Sequence, residues 1–527
     1  MDPRLLTFFA FLPFVLILFL IVFRRWPAIK AMSLTWFITV ITVLIFWNLA
    51  PIFIAASFLK GFFVAIEIML IIFWAVFFLE ILREKGQMKN IQSFFSVISN
   101  DARIQAIIIA FLFGGLIEGI AGFGTPAALT APLLVSLGFS PILSVILALI
   151  SNSTPVSFGA AGTPILIGLG GLGLESELIS QVTKLTALFH GIVGLVIPFS
   201  LVFLVNYYHD KKTVIKNTIE IIPFIIFAWL AFIIPYLLVA YLIGPELPSI
   251  IGSFIGICLA STAAHYGFLV PKNKIQFNNK KIKSKFNLFK SLKVLTPYLI
   301  IILLLTLSRT ISPLKNYLTS LSLNWENILG ANIGYNFLPF YTPSFYFLIA
   351  AISCIFIFKA NLNEVKNVAK RTFSKIKIAT LALIFTIALV QLFLVSGSNP
   401  LGIMSMHLIL AGFFESLFKQ GFVFISPFIG AFGSFIAGSN TVSNLLFASF
   451  QVEAARSLGI SVAVILSLQV VGGAIGNLIA VHNILAASAA VGLENQEGNI
   501  IRKTIIVMLI YVSLVSILGF IAITLFY

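Results

Sequence analysis

The chain has 527 residues, of which 60% are hydrophobic and only 9% charged, with a formal net charge of +16 and a mean hydropathy of +1.10. This composition excludes a soluble globular domain and describes a polytopic membrane protein. The basic excess is explained by topology before nucleic acid, because the basic residues lie between apolar spans. The two cysteines, Cys258 and Cys354, fall inside apolar segments and support neither a disulfide framework nor a metal site.

In chain order, residues 5–23 follow MDPR, are long enough to span, and lack a small-residue cleavage site. They read as a retained helix and not as a signal peptide. Further spans are expected near 31–49, 62–82, 139–176, 181–207, 219–243, 248–270, 294–312, 342–359, 377–396, 461–491 and 503–526, about 12 in all. The apolar stretches 104–138 and 421–459 are outside that count. Each reads as a re-entrant hairpin that enters and leaves on one side.

The breaks within these stretches carry the functional argument. The first hairpin turns at Gly119 to Pro126, which holds Gly122, Gly124 and Thr125 beside the ionisable Glu118. The first broken span is interrupted by Ser151, Asn152, Ser153 and Thr154 before Pro155. The second hairpin turns at Gly438 to Asn444, with Ser439, Asn440 and Thr441. The second broken span has Gly472, Gly473 and Asn477, then His482. Proline removes a donor and glycine loosens the backbone, so freed amides and carbonyls need partners that lipid cannot supply. Such breaks are tolerated where they line a polar cavity, and half-helices starting there point N–H groups and a positive dipole end at an anion. The alternative is that these small polar groups cap broken helices and let backbones pack closely.

Charge tests the topology. Loops around 24–30, 83–103, 211–216, 272–293, 359–377 and 502–503 hold 26 of the 33 Lys and Arg. The rest are Arg4, Lys60, Lys184, Arg309, Lys315, Lys419 and Arg456, all on the other side. The basic side is cytoplasmic and both termini lie outside. The same order of elements then recurs with opposite orientation. Residues 1–30 form an N-terminal helix and 31–207 a first inverted repeat (hairpin 104–138, broken helix 139–176). Residues 208–341 are connecting helices and a basic cytoplasmic loop, and 342–527 a second inverted repeat (hairpin 421–459, broken helix 461–491). The expected fold is an all-α polytopic membrane protein of about 12 transmembrane helices plus two re-entrant hairpins, with one site between the halves near the midplane.

Among single charged residues, Glu118 at membrane depth is the leading proton-coupling candidate, because an ionised carboxylate is costly there. His482, just past a break, is second, and Glu67 is weaker. His190, His265 and His407 read as packed or interfacial, and Arg309 as snorkelling to the interface. Gly168 to Gly173 matches G-x-G-x-x-G without a strand–helix–strand unit, and Asn152-Ser153-Thr154 is a glycosylation sequon at membrane depth. With no Walker A sequence, H-E-x-x-H or G-x-S-x-G, ATP-driven pumping and enzymatic hydrolysis are not expected.

The stretches LIEGIAGFGTPAALTAPLLVSLGF and SNSTPVSFGAAGTP, then SPFIGAFGSFIAGSNTVSNLLFASFQ and ASAAVGL, resemble the L-lactate permease family in content and order. The resemblance runs from about residue 90 to the C-terminus. It implies a secondary transporter in the plasma membrane, moving L-lactate or a similar small 2-hydroxymonocarboxylate such as glycolate by proton symport. It also implies kinship with a larger superfamily of ion transporters, in which sodium coupling of another small organic anion is the alternative; an anion channel is a third reading. The family pattern has Asp where this chain has Asn440 and Lys where it has Asn477. The expected substrate-binding set is Gly122, Gly124, Thr125, Ser151, Asn152, Ser153, Thr154, Ser439, Asn440, Thr441, Asn444, Gly473 and Asn477. Glu118 and His482 are expected for proton coupling. No cofactor, metal or nucleic-acid partner is expected.

Overall fold

Proline marks where many of the helices begin. Pro3, Pro51, Pro141, Pro248 and Pro343 stand in the first turn of their helices, where the missing N–H would have had no partner anyway. The structure is a computed structural model that describes residues 2–24, 26–87, 90, 95, 98–122, 124–277 and 288–526. Among these residues, eleven helices are long and apolar enough to cross a membrane, and up to 13 if each bent pair is one span.

The first part comprises α1 (Pro3–Leu18), α2 (Ala28–Phe46) and the 34-residue α3 (Pro51–Glu84). The first hairpin follows as α4 (Ala102–Ala121) and α5 (Thr125–Ser136). The first broken span is α6 (Pro141–Ser151), a tight turn Thr154–Phe158 and α7 (Gly159–Leu166), bent by 47°. Then come α8 (Ser176–Val193), α9 (Val196–His209), α10 (Val214–Leu242) and α11 (Pro248–His265). After α12 (Leu288–Thr310) the chain bends by 91° into α13 (Ser312–Ser320).

A short antiparallel hairpin, β1 (Leu323–Trp325) with β2 (Tyr335–Phe337), precedes α14 (Pro343–Ile357) and the 34-residue α15 (Leu362–Val395). The last part is α16 (Met406–Phe418), the second hairpin α17 (Phe422–Ala437) and α18 (Asn440–Ser457), and the second broken span α19 (Val462–Gly476) and α20 (Val481–Ala490). It ends with α21 (Glu497–Phe526).

Two expected spans are longer than the hydropathy pattern gave. The span at 62–82 belongs to α3, which starts at Pro51, and that at 377–396 to α15, which starts at Leu362. The extra turns of α15 are polar, and a capping box supports them: Asn361 Oδ1 accepts from the Glu364 amide at 2.9 Å, and Glu364 Oε2 accepts from the Asn361 amide at 2.8 Å. The β1–β2 hairpin also departs from the all-α expectation. It packs on α3 through Phe63, stacked on Tyr335 at 5.5 Å. Residues 88, 89, 91–94, 96 and 97 of the loop expected at 83–103, and Lys280, Lys281, Lys283 and Lys285 of the basic loop, lie outside the described residues.

The two long helices hold the halves together. Lys375 Nζ meets Glu80 Oε1 at 2.9 Å, Lys85 Nζ meets Glu364 Oε2 at 2.6 Å, and Arg371 pairs with Glu84. At the other end, the backbone of Gly61 abuts that of Ala388, where a Cβ would be 2.6 Å from the Ala388 nitrogen. The beginning of one helix therefore lies along the end of the other, and α3 and α15 run antiparallel. Contacts around them match in pairs: α14 packs on α3 as α2 packs on α15, and α20 packs on α5 as α7 packs on α18.

Candidate functional site

The four breaks meet at one cavity. Its wall comprises Glu118 and Gly122 of the first hairpin, Val156, Gly159, Ala160, Thr163 and Pro164 of the first broken span, Gly438, Ser439, Asn440 and Thr441 of the second hairpin, and Asn477 of the second broken span. Its volume is about 10 Å³, room for one water molecule. None of these residues is basic, and Glu118 is the one formal charge.

Glycines let the backbone close on Glu118. A Cβ on Gly159 would collide with Glu118 Oε1, and one on Gly122 would stand 3.5 Å from the same oxygen and 3.1 Å from the Ala160 Cβ. Asn152 lies beside the carboxylate. Glu118 is only 3% exposed, yet its Oε2 has no hydrogen-bond partner among the described residues. A buried carboxylate left like this is stable only if it is neutral or gains a partner. The Oδ1 atoms of Asn440 and Asn477 are also buried without a partner among the described residues.

The first break is a strained backbone held from several sides. Ala160, Ala161 and Gly162 are consecutive left-handed residues with φ of 43°, 51° and 78°, a conformation that costs an alanine roughly 1–2 kcal/mol. Tyr236 donates to the Thr154 carbonyl at 3.2 Å, Ser249 to the Pro155 carbonyl at 2.7 Å and Asn444 Nδ2 to the Pro164 carbonyl at 2.8 Å. Gly162 lies against the Pro245–Glu246 peptide, so close that a Cβ would be 2.5 Å from the Pro245 oxygen. That peptide is itself anchored: Glu246 Oε1 accepts from Arg309 Nε at 2.9 Å, and Arg309 Nη2 donates to the Tyr341 carbonyl at 2.7 Å. Arg309 is thus buried in an ion pair and does not snorkel, because Glu246 and the Tyr341 carbonyl engage its guanidinium inside the protein.

The second hairpin reaches across to the first half. Gly438 ends α17 in the left-handed region (φ 71°), and Ser439 caps α18 by accepting from the Val442 amide at 3.5 Å. Asn440 Nδ2 donates to the Val470 carbonyl at 3.0 Å, and the Thr441 and Thr163 hydroxyls meet at 3.3 Å. Behind them an uncharged, fully buried chain links Ser426, Gln451, Gln469 and Asn444.

Of the residues singled out in the sequence, Glu118, Gly122, Ser439, Asn440, Thr441 and Asn477 line the cavity. Gly473 lies directly behind Asn440 Oδ1, and Gly124 packs on Asn483, with a Cβ 2.6 Å from Asn483 Oδ1. Thr125 opens α5 beside that contact. Ser151 and Ser153 turn back to the carbonyls of Ala148 and Ile150 at 3.0 and 2.8 Å, the Thr154 carbonyl is held by Tyr236, and Asn444 is a cross-link. His482 does not enter the cavity: α20 turns its ring onto the Gly438 backbone and leaves it exposed. The sequence reasoning missed Val156, Gly159, Ala160, Thr163, Pro164 and Gly438. The signal was the small-residue run Gly159 to Pro164, which implies backbone against a neighbour. Glu67, by contrast, accepts from Tyr335 at 3.1 Å on the β2 strand, away from this cavity.

The sequence model described as L-lactate permease matches residues 7–526. A putative L-lactate permease of Haemophilus influenzae is 33% identical, with 98% of each chain covered. The L-lactate permease of Escherichia coli K12 is 31% identical over 98% of this chain and 96% of its own. The glycolate permease GlcA of the same strain is 30% identical over 85% of this chain and 83% of its own. Among solved structures, the Alcanivorax borkumensis YdaH transporter is similar at 12% identity and a TM-score of 0.43, with 90% of this chain and 88% of that chain covered.

Proposed function

This chain belongs to the L-lactate permease family and is a multi-pass membrane protein, and from that premise we propose that it carries L-lactate or glycolate together with a proton. Relatives named as L-lactate and glycolate permeases support the substrate. The observation that supports the proton is Glu118, a buried carboxylate whose Oε2 has no partner among the described residues, in a cavity with no basic residue among the described residues of its wall. An incoming carboxylate would face a second negative charge there unless a proton neutralised one of the two. Carrying one proton per monocarboxylate also makes the step electroneutral, so the membrane potential does not oppose uptake.

The anion's own partners come from the breaks. The start of α18 offers amides and the hydroxyls of Ser439 and Thr441, and Asn477 offers an amide side chain. Thr125 and Asn152 stand one layer out and complete the proposed site. Access alternates between the two sides, which fits halves joined through antiparallel α3 and α15 and related as inverted repeats. The cavity has room for about one water molecule, so it must widen to take a three-carbon acid.

A second reading has its own observation. The free oxygens of Asn440 and Asn477, with Glu118, are acceptors suited to a sodium ion as well as to a proton. Purified protein in liposomes separates the two. Labelled lactate and glycolate should exchange by counterflow, and an imposed inward proton gradient should drive accumulation. Accumulation driven by sodium at fixed pH would replace the proton, and conductance without counterflow would point to a channel.

A further inference from the structure

His190 lies outside the cavity wall and has no place in the transport reading so far, yet it is fully buried with both ring nitrogens engaged. Ser157 Oγ is 2.8 Å from Nε2, and the Tyr511 hydroxyl is 2.6 Å from Nδ1. The Tyr236 ring faces the imidazole edge-on at 6.4 Å between centroids. Ser157 also reaches the Val470 carbonyl at 3.5 Å, a contact that only its O–H can make. The imidazole then donates from Nε2 to Ser157 and accepts at Nδ1 from Tyr511, which fixes one neutral tautomer. The same Val470 carbonyl accepts from Asn440 Nδ2 at 3.0 Å.

We propose that His190 is a positioning residue for Asn440. A chain of hydrogen bonds runs from Tyr511 on α21 through His190 on α8 and Ser157 in the Thr154–Phe158 turn to the Val470 carbonyl on α19, and meets the cavity amide there. It joins the first broken span to the second at the level where the second hairpin enters. Its effect is to hold the Val470 carbonyl where Asn440 must bind it, so that the amide faces the cavity in one orientation. Val156 and Gly159, on either side of Ser157, both line the cavity, so the chain also fixes that part of its wall. His190 touches neither the proposed substrate nor Glu118, and it moves no proton.

The role rests on the transport reading, and Tyr511→Phe tests it most gently because the ring is kept and one hydroxyl is lost. In liposome counterflow, Tyr511→Phe should raise the half-saturating lactate concentration about two- to tenfold. In an Asn440→Ala background the same change should add clearly less, since the part of its effect that runs through the Val470 carbonyl is already lost. His190→Gln should behave likewise, with the pH profile of accumulation unchanged. Equal effects in both backgrounds, no effect in either, or a flattened pH profile in His190→Gln would overturn the assignment. A second measurement needs no transport: in full-length protein with Cys258 and Cys354 replaced by serine, a Val156→Cys thiol should label faster once Tyr511→Phe is added. Unchanged labelling would also overturn it, whereas absent counterflow in the unmodified protein would instead fault the transport reading.

Discussion

At the scale of single residues, two buried polar groups differ in what they can lose. Among the described residues, the Asn440 side chain donates to the Val470 carbonyl and its Oδ1 has no partner. Asn440→Ala should weaken lactate binding by about 1–3 kcal/mol while the protein still folds, because the Val470 carbonyl keeps the Ser157 hydroxyl as a donor; a binding isotherm in detergent checks this. Arg309 is the opposite case, a cation fully engaged by Glu246, Ser308 and Tyr341. Arg309→Met strands a buried carboxylate and should cost about 3–5 kcal/mol of stability, with much of it recovered when Glu246→Met is added. Thermal unfolding of the single and double variants reads that recovery directly. The pairing was not legible in the sequence, since Glu246 and Arg309 are 63 residues apart and meet only once α11 and α12 are folded. Glu118 was legible, because an acid beside three glycines at membrane depth has few structural uses.

At the scale of elements, the breaks are made by glycine where another backbone or amide comes too close for a side chain. Gly473 is the sharpest test, since its Cβ would overlap Asn440 Oδ1. Gly473→Ala should displace Asn440, cost about 1–3 kcal/mol and abolish transport. Gly412→Ala, on α16 with nothing within 4 Å, should leave transport intact and stabilise the helix by up to about 1 kcal/mol. Paired assays of unfolding and uptake on the two alanine variants distinguish them. The hairpins and broken spans were readable because glycine, proline and short polar residues interrupt apolar runs. The left-handed run Ala160-Ala161-Gly162 was not, because alanine carries no local signal for that conformation and only packing on Pro245–Glu246 imposes it. The packing of the His482 ring on Gly438 was equally hidden, since a turn of a few residues decides which way α20 faces.

At the scale of the whole molecule, the order of elements and one site shared by the four breaks were expected from hydropathy, charge and the repeat, while the residues that line the cavity needed the folded chain. The antiparallel ion pairs of α3 and α15 fit the orientation expected from the distribution of Lys and Arg. Single cysteines at Lys272 and at Lys315 should therefore label from opposite faces of the membrane; labelling from one face would break the inverted arrangement. The central claim is narrower, that Glu118 carries the coupling proton through the cavity between those halves. It is tested by Glu118→Gln in liposomes, with exchange and accumulation measured side by side. The account predicts that labelled lactate still exchanges across the membrane, since a neutral glutamine resembles the loaded acid, while a proton gradient no longer drives accumulation. Proton-driven accumulation at the unmodified level in Glu118→Gln would contradict it.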